Sequence, residues 1–151
     1  MKILMVCLGN ICRSPLAEGI LQAKINSIGL DIKVDSAGSG GWHAGQGPDQ
    51  RAVAIANKHG INISQQKARQ FSSTDFESFD IIYVMDGSNL SDIVSLAKKK
   101  EDIEKVKLIL NEISPNTDNP VPDPYYGIDD GFEKVYQLLD EACEMIIKKI
   151  S

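Results

Sequence analysis

Two short, wholly apolar runs constrain the fold of this chain more than any other feature. Residues 3–7 have the sequence ILMVC and residues 81–85 have the sequence IIYVM. Runs of this length without alternating polar residues are typical of strands buried on both faces of a sheet. Residues 32–36 and 105–110 are two further strand candidates.

Helical patterns alternate with these runs. Apolar residues recur at helical spacing in residues 15–28, 50–58, 89–99 and 130–149. Asp130 and Glu133 have the spacing of a capping box at the start of the last helix. The alternation predicts an α/β fold in one domain, residues 1–151, with a mostly parallel four-stranded sheet covered by helices on both faces. Ligands of such sheets bind at the carboxyl ends of the strands.

Composition and charge disfavour several classes of function. The 151 residues carry a net charge of −5 and lack a clustered basic face, so we expect no nucleic-acid partner and no membrane partner. No apolar segment is long enough to cross a bilayer. Three cysteines are an odd count for a disulfide framework, which indicates a reduced, cytoplasmic protein. The acidic surface is compatible with a monomer or a weak dimer.

The segment VCLGNICRSP, residues 6–15, lies between the first strand and the first helix. A thiolate on Cys7 would be stabilised there by backbone N–H groups and by the helix dipole. Gly9 permits an unusual backbone conformation, and successive N–H groups of such a loop can bind an anion. Arg13 can hold a phosphate through two parallel hydrogen bonds. Together these groups indicate phosphoryl transfer through a cysteine.

Other interpretations of the two cysteines are open at this point. A free cysteine at the end of a strand is commonly a small buried hydrophobe, but the arginine six residues after Cys7 favours chemistry. A zinc site would need Cys7 and Cys12 together with Cys143, His43 or His59. The spacing between Cys7 and Cys12 is at the loose end of the range for zinc ligands. The nucleotide motifs GxxxxGK[ST] and GxGxxG are absent. We therefore expect neither a metal nor a cofactor.

The pattern C-x5-R-S from Cys7 to Ser14, so close to the first residue, resembles the signature loop of the low-molecular-weight protein tyrosine phosphatases. The segment DPYYG, residues 123–127, resembles the general-acid loop of that family, and weaker matches lie between the two. The resemblance covers essentially the whole chain in order. It implies a flavodoxin-like fold of the phosphatase I type and hydrolysis of phosphotyrosine in proteins, and of small aryl phosphates, without a cofactor.

The resemblance also implies roles for individual residues. Cys7 would form a phosphocysteine, Arg13 and the loop amides would bind the phosphate, and Asp123 would act first as general acid and then as general base. Inorganic phosphate would be the product and an inhibitor. The further residues that would form or support the phosphate loop are Leu8, Gly9, Asn10, Ile11, Cys12, Ser14, Ser36 and Asp86.

Aromatic residues are expected to surround the substrate. Trp42, Tyr125 and Tyr126 match positions that wall the crevice in the family, and a deep aromatic slot favours phosphotyrosine over the shorter phosphoserine. At the position of Cys12, members of the family can form a disulfide with the nucleophile under oxidants, which would protect Cys7 reversibly.

The resemblance leaves some alternatives open. Gln66 replaces a histidine that steadies the loop asparagine in many relatives. Some relatives hydrolyse phosphoarginine and tend to have threonine at the position of Ile11, so isoleucine favours phosphotyrosine. A related arsenate reductase would need a relay cysteine, and Cys143 lies on an apolar stripe. A phosphocysteine carrier would not need Asp123, and a silent binding module would be expected to lose Cys7 or Asp123.

Overall fold

The structure, a computed structural model, describes residues 1–126 and 131–151, except for the side chain of Tyr126. Its strands are β1 (Lys2–Cys7), β2 (Lys33–Gly38), β3 (Ile81–Val84) and β4 (Val106–Leu108). Its α-helices are α1 (Arg13–Ile28), α2 (Gln50–Lys58), α3 (Asp75–Ser78), α4 (Gly87–Val94), α5 (Lys100–Glu104) and α6 (Gly131–Ile150). Two 3₁₀ helices span Ile109–Glu112 and Pro124–Tyr126.

The four strands form one parallel sheet in the order β2-β1-β3-β4. The predicted α/β fold is therefore confirmed. In the register of the sheet, Val6 lies between Ala37 of β2 and Val84 of β3. The carboxyl ends of the three strands thus meet at one edge, where Cys7 ends β1 and Asp86 follows β3.

Strand β1 is buried on both faces, as its apolar sequence predicts. Ile3 and Met5 belong to the core that α1, α2 and α6 cover, whereas Leu4 and Val6 belong to the core that α3 and α4 cover. Each of these four side chains is 0% exposed, and full burial of such a side chain contributes about 1.5–3 kcal/mol. The strand that ends in Cys7 is therefore anchored from both sides of the sheet.

Several element boundaries differ from the sequence-based predictions. Strand β2 continues to Gly38, because Ala37 and Gly38 pair with the last two residues of β1. Helix α4 begins at Gly87 rather than near residue 89, since the Asp86 side chain accepts a hydrogen bond from the Asn89 N–H group and caps the helix. The short helices α3 and α5 were not predicted. The predicted cap Asp130 lies outside the described residues.

Helix α6 buries the predicted apolar stripe, which includes Phe132, Val135, Leu139, Cys143 and Ile146. Within residues 1–126 and 131–151, no helix combines the length and the apolar composition that crossing a bilayer requires.

Candidate functional site

Two loops face each other at the carboxyl edge of the sheet. The cysteine loop, residues 7–13, connects β1 to α1, and the aspartate loop, residues 121–126, precedes α6. A cavity of about 300 Å³ opens between them. Its lining consists of Cys7, Leu8, Gly9, Ile11, Cys12, Arg13, Trp42, His43, Asp123 and Tyr125.

The backbone of the cysteine loop has its carbonyl groups turned towards neighbouring segments. The carbonyl oxygens of Cys7, Leu8 and Ile11 accept hydrogen bonds from the N–H groups of Ser39, Gly40 and Asp49, at 2.8, 2.9 and 2.8 Å. These peptide bonds are trans, so the N–H group of each unit points away from its carbonyl oxygen. The N–H groups of residues 8, 9 and 12 therefore point to the opposite side of the loop, an arrangement suited to binding an anion.

Asn10 holds the turn of this loop in shape. Its φ of 57° lies in the left-handed region, which asparagine tolerates better than most residues. Its buried side chain donates to Ser14 Oγ at 2.8 Å and accepts from the Arg69 N–H group at 3.0 Å. Gln66, which the resemblance led us to expect in place of a histidine, donates from Nε2 to the Pro15 carbonyl at 3.1 Å. Here the backbone of Arg69 and the Ser14 hydroxyl steady the asparagine.

Cys7 shares this hydrogen-bond chain. Its buried sulfur lies 3.0 Å from Ser14 Oγ. Since the Ser14 oxygen already accepts a bond from Asn10, its own proton is available to the sulfur. The chain from Asn10 through Ser14 therefore fixes the position of the Cys7 sulfur at the floor of the cavity.

Arg13 connects the cysteine loop to two other segments. Its buried guanidinium donates from Nη1 to Asp86 Oδ2 at 2.7 Å and to the Val121 carbonyl at 2.9 Å. Its Nη2 lies 3.7 Å from Asp123 Oδ2. The planar fork is thus held rigidly along one side, and it faces the cavity beside the carboxylate of the aspartate loop.

The predicted supporting residues Asp86 and Ser36 have different positions. Asp86 binds Arg13 and at the same time caps α4. The resemblance implied that Ser36 supports the cysteine loop. In the structure its hydroxyl instead donates to Glu18 Oε1 of α1 at 2.7 Å. The reason is the course of β2, which runs beside α1 at this residue. Burial raises the pKa of Glu18 to about 7, although the hydrogen bond from Ser36 opposes that shift.

The aspartate loop is more exposed than the cysteine loop. The Tyr125 N–H group donates to Asp123 Oδ1 at 3.0 Å, which folds the carboxylate back over the 3₁₀ helix. The Val121 N–H group donates to the Met85 carbonyl at 2.8 Å and attaches the start of the loop to the end of β3. The side chain of Tyr126 lies outside the described residues, so its predicted place in the crevice stays a prediction.

The rim of the cavity carries Trp42, which is 72% exposed. Its ring also packs directly against Gly40 of its own glycine-rich loop. A Cβ at that position would lie only 1.9 Å from a carbon of the ring, so a larger residue would not fit. The neighbouring His43 covers Gly9, where a Cβ would lie 2.9 Å from the imidazole. Sequence reasoning did not place His43 at the rim, although its position next to Trp42 was a usable signal.

The three cysteines are free and buried. Cys7 and Cys12 line the same cavity, and their disulfide under oxidants stays a prediction. Burial is the main cause that raises the pKa of both Cys12 and Cys143. Across the described ranges, 1–126 and 131–151, no three metal-ligating side chains converge on a point where they could hold a metal ion.

Comparisons with known proteins agree on one family. Residues 2–151 match the family model described as low molecular weight phosphotyrosine protein phosphatase. A protein of that description from Schizosaccharomyces pombe is 40% identical, with coverage of 99% of this chain and 97% of the relative.

Solved structures extend the agreement to the fold. The structure of YfkJ from Bacillus subtilis is 40% identical with a TM-score of 0.92, and the match covers 99% of this chain and 94% of that one. A structure described as a Drosophila arginine phosphatase is 35% identical with a TM-score of 0.91, covering 99% of this chain and 97% of that one.

Proposed function

The chain belongs to the low-molecular-weight phosphotyrosine protein phosphatase family, and on that premise we propose that it hydrolyses phosphotyrosine in proteins through a phosphocysteine on Cys7. One observation carries the proposal. The Cys7 sulfur, the Arg13 guanidinium and the Asp123 carboxyl line the same cavity, although they come from distant parts of the chain.

In the first step the Cys7 thiolate attacks phosphorus and the bond between phosphorus and the tyrosine oxygen breaks. Asp123 gives its proton to that oxygen, so tyrosine leaves as a neutral phenol. The Arg13 guanidinium and the N–H groups of the cysteine loop bind the other phosphate oxygens. They bind most strongly when charge develops in the transition state, which lowers the barrier.

In the second step the Asp123 carboxylate takes a proton from water, and the water oxygen attacks the phosphorus of the phosphocysteine. The sulfur–phosphorus bond breaks, Cys7 returns to the thiolate, and inorganic phosphate is released. Because phosphate contacts the same groups as the substrate, we expect it to inhibit competitively. A thiol nucleophile has to stay reduced, and for that reason we also propose a cytoplasmic site of action.

The walls of the cavity support an aryl substrate. Trp42, Tyr125 and the Ile11 side chain offer apolar surface around the Cys7 sulfur, and an aromatic ring can stack there. We expect the shorter side chain of phosphoserine to contact these walls less than phosphotyrosine does when its phosphate is at the sulfur. Phosphoarginine is the alternative substrate to compare with phosphotyrosine, because one structural relative is described as an arginine phosphatase.

Phosphate release from three matched peptides tests this proposal. The peptides carry phosphotyrosine, phosphoarginine or phosphoserine in one sequence context, and Cys7→Ser serves as the blank, with its thermal midpoint checked against wild type. We expect rapid release from the phosphotyrosine peptide alone. Preference for phosphoarginine would contradict the substrate assignment. Stable labelling of Cys7 without turnover would indicate a phosphate carrier instead.

A further inference from the structure

We propose that Arg51 is a positioning residue that holds the aspartate loop at the right distance from the cysteine loop for proton delivery by Asp123. The inference rests on the proposed function. It concerns a side chain that lies outside the cavity and belongs to none of the motifs that identify the family in this sequence.

Arg51 lies on α2 and contacts the aspartate loop directly. Its Nη2 donates to the Tyr125 carbonyl at 3.2 Å. Its guanidinium also lies 5.6 Å from the centre of the Tyr125 ring and 4.8 Å from the centre of the Phe132 ring. A guanidinium over an aromatic face is attracted to the ring, so one side chain restrains both the backbone of this loop and the start of α6.

The peptide of Tyr125 is the link between Arg51 and the carboxylate. The Tyr125 N–H group donates to Asp123 Oδ1, and the Tyr125 carbonyl accepts from Arg51. A displacement of this residue therefore displaces the acid. On the other side of Asp123 the loop is fixed at Val121, whose carbonyl accepts from Arg13. Arg51 supplies a restraint on the second side.

Asp49 connects this restraint to the cysteine loop. It binds the Arg51 guanidinium through two bonds of 3.0 Å, from Nε to Oδ1 and from Nη2 to Oδ2. Its backbone N–H group donates to the Ile11 carbonyl of the cysteine loop at 2.8 Å. The path from Ile11 through Asp49 and Arg51 to Tyr125 thus sets the spacing between the two loops. The hydrogen bond from Arg51 also lowers the pKa of Asp49, because it stabilises the ionised carboxylate.

Because Arg51 is exposed, its effect on the position of the aspartate loop can be measured apart from an effect on folding. Its side chain is 48% exposed, and an ion pair with such an exposed partner contributes little to stability. Truncation of Arg51 should therefore leave the fold intact. A misplacement of about 1 Å can nevertheless cost about 100-fold in rate when it affects a reacting group.

The dependence of kcat/KM on the leaving group tests this inference. A phosphotyrosine peptide releases a phenol that needs the proton of Asp123, whereas an aryl phosphate with strongly electron-withdrawing substituents releases an anion that does not. For Arg51→Ala we expect kcat/KM to fall about 10–100-fold for the peptide and less than about 3-fold for the activated aryl phosphate. The thermal midpoint should change by only a few degrees.

Two variants complete the test. Lys58→Ala removes another cation of α2, one that is exposed and contacts Glu133 on α6, and it should leave both substrates unaffected. Asp49→Ser retains a side chain that can cap α2 but loses the paired bonds to Arg51, so it should show part of the selective loss.

An equal loss of kcat/KM for both substrates in Arg51→Ala, or no loss for either, would overturn the inference while wild type remained active. The same selective loss in Lys58→Ala would overturn it as well. A wild-type protein that releases no phosphate from the phosphotyrosine peptide would overturn the proposed function itself.

Discussion

The cysteine loop and the aspartate loop line the same cavity, but the protein holds them in different ways. In the cysteine loop and the first turn of α1, Asn10 and Arg13 are 2% exposed and Ser14 is 0% exposed. In the aspartate loop the Asp123 side chain is 33% exposed and Tyr125 is 39% exposed. The polar side chains that shape the first loop are buried, whereas the Asp123 and Tyr125 side chains of the second loop reach the surface.

The difference agrees with the two tasks that we propose. Groups that bind a phosphate in one geometry have to be ordered before the reaction, and burial with complete hydrogen bonding provides that order. A group that gives and takes protons has to exchange them with water in every cycle. We therefore expect changes in the cysteine loop to alter stability and activity together, and changes in the aspartate loop to alter activity alone.

The largest effect is expected for Asp123→Asn. The amide retains an oxygen that can accept from the Tyr125 N–H group, but it cannot supply a proton. We expect kcat/KM for a phosphotyrosine peptide to fall about 100–10,000-fold, with little change in the thermal midpoint. Asp92→Asn, an exposed carboxylate on α4, is the matched control and should change neither quantity. A large fall in the thermal midpoint of Asp123→Asn would show that the aspartate loop is structurally as essential as the cysteine loop.

A smaller loss of activity, coupled to a loss of stability, is expected for Asn10→Ala. The variant loses the bonds to Ser14 and to Arg69, which should cost about 1–3 kcal/mol in the free energy of unfolding. The same loss of order around Cys7 should lower kcat/KM about 10–100-fold.

Asn10→Gly separates the two causes of that instability. It loses the same hydrogen bonds but accepts the φ of 57° without strain, so it should be more stable than Asn10→Ala by about 1 kcal/mol in urea unfolding. Full activity in a destabilised Asn10→Ala would contradict the coupling of order and activity in this loop.

The smallest effect is expected for Glu18→Gln, a change in a partly buried residue behind the cysteine loop. Because burial raises the pKa of Glu18 from 4.5 to about 7, the folded protein binds a proton between these values that the unfolded chain has lost. Stability therefore falls as the pH rises from about 4.5 to 7, and the loss is complete above pH 7. Asp35 adds to the shift, while the bond from Ser36 and the charge of Arg69 oppose it.

Glutamine removes this titration and can still accept the bond from Ser36. We expect the free energy of unfolding at pH 8 to rise by about 1 kcal/mol, with little change at pH 4.5 and an unchanged kcat. Urea unfolding at the two pH values measures the difference. A change in kcat would mean that the region behind the cysteine loop acts on catalysis, which would weaken the distinction between the two loops.

Much of the candidate site was predictable because its signals are local. Cys7 and Arg13 belong to one loop whose residue types show their chemistry without tertiary information. Asp123 was predictable only through the resemblance, since an aspartate in a proline-bearing loop is more often a turn residue. Arg51 was missed because nothing adjacent to it in sequence indicates a partner in another loop. His43 was missed although it follows Trp42, a predicted wall of the crevice.

The sequence by itself determined the parallel α/β fold and the position of a reactive cysteine between the first strand and the first helix. Apolar periodicity and glycine content act over a few residues, so they can be interpreted without coordinates. Only the tertiary structure decided that Arg13 binds Asp86 and Val121, and that Arg51 binds Tyr125. Those partners are 73, 108 and 74 residues apart in sequence. They meet because the register of the sheet and the packing of α2 and α6 bring distant chain segments to the same edge.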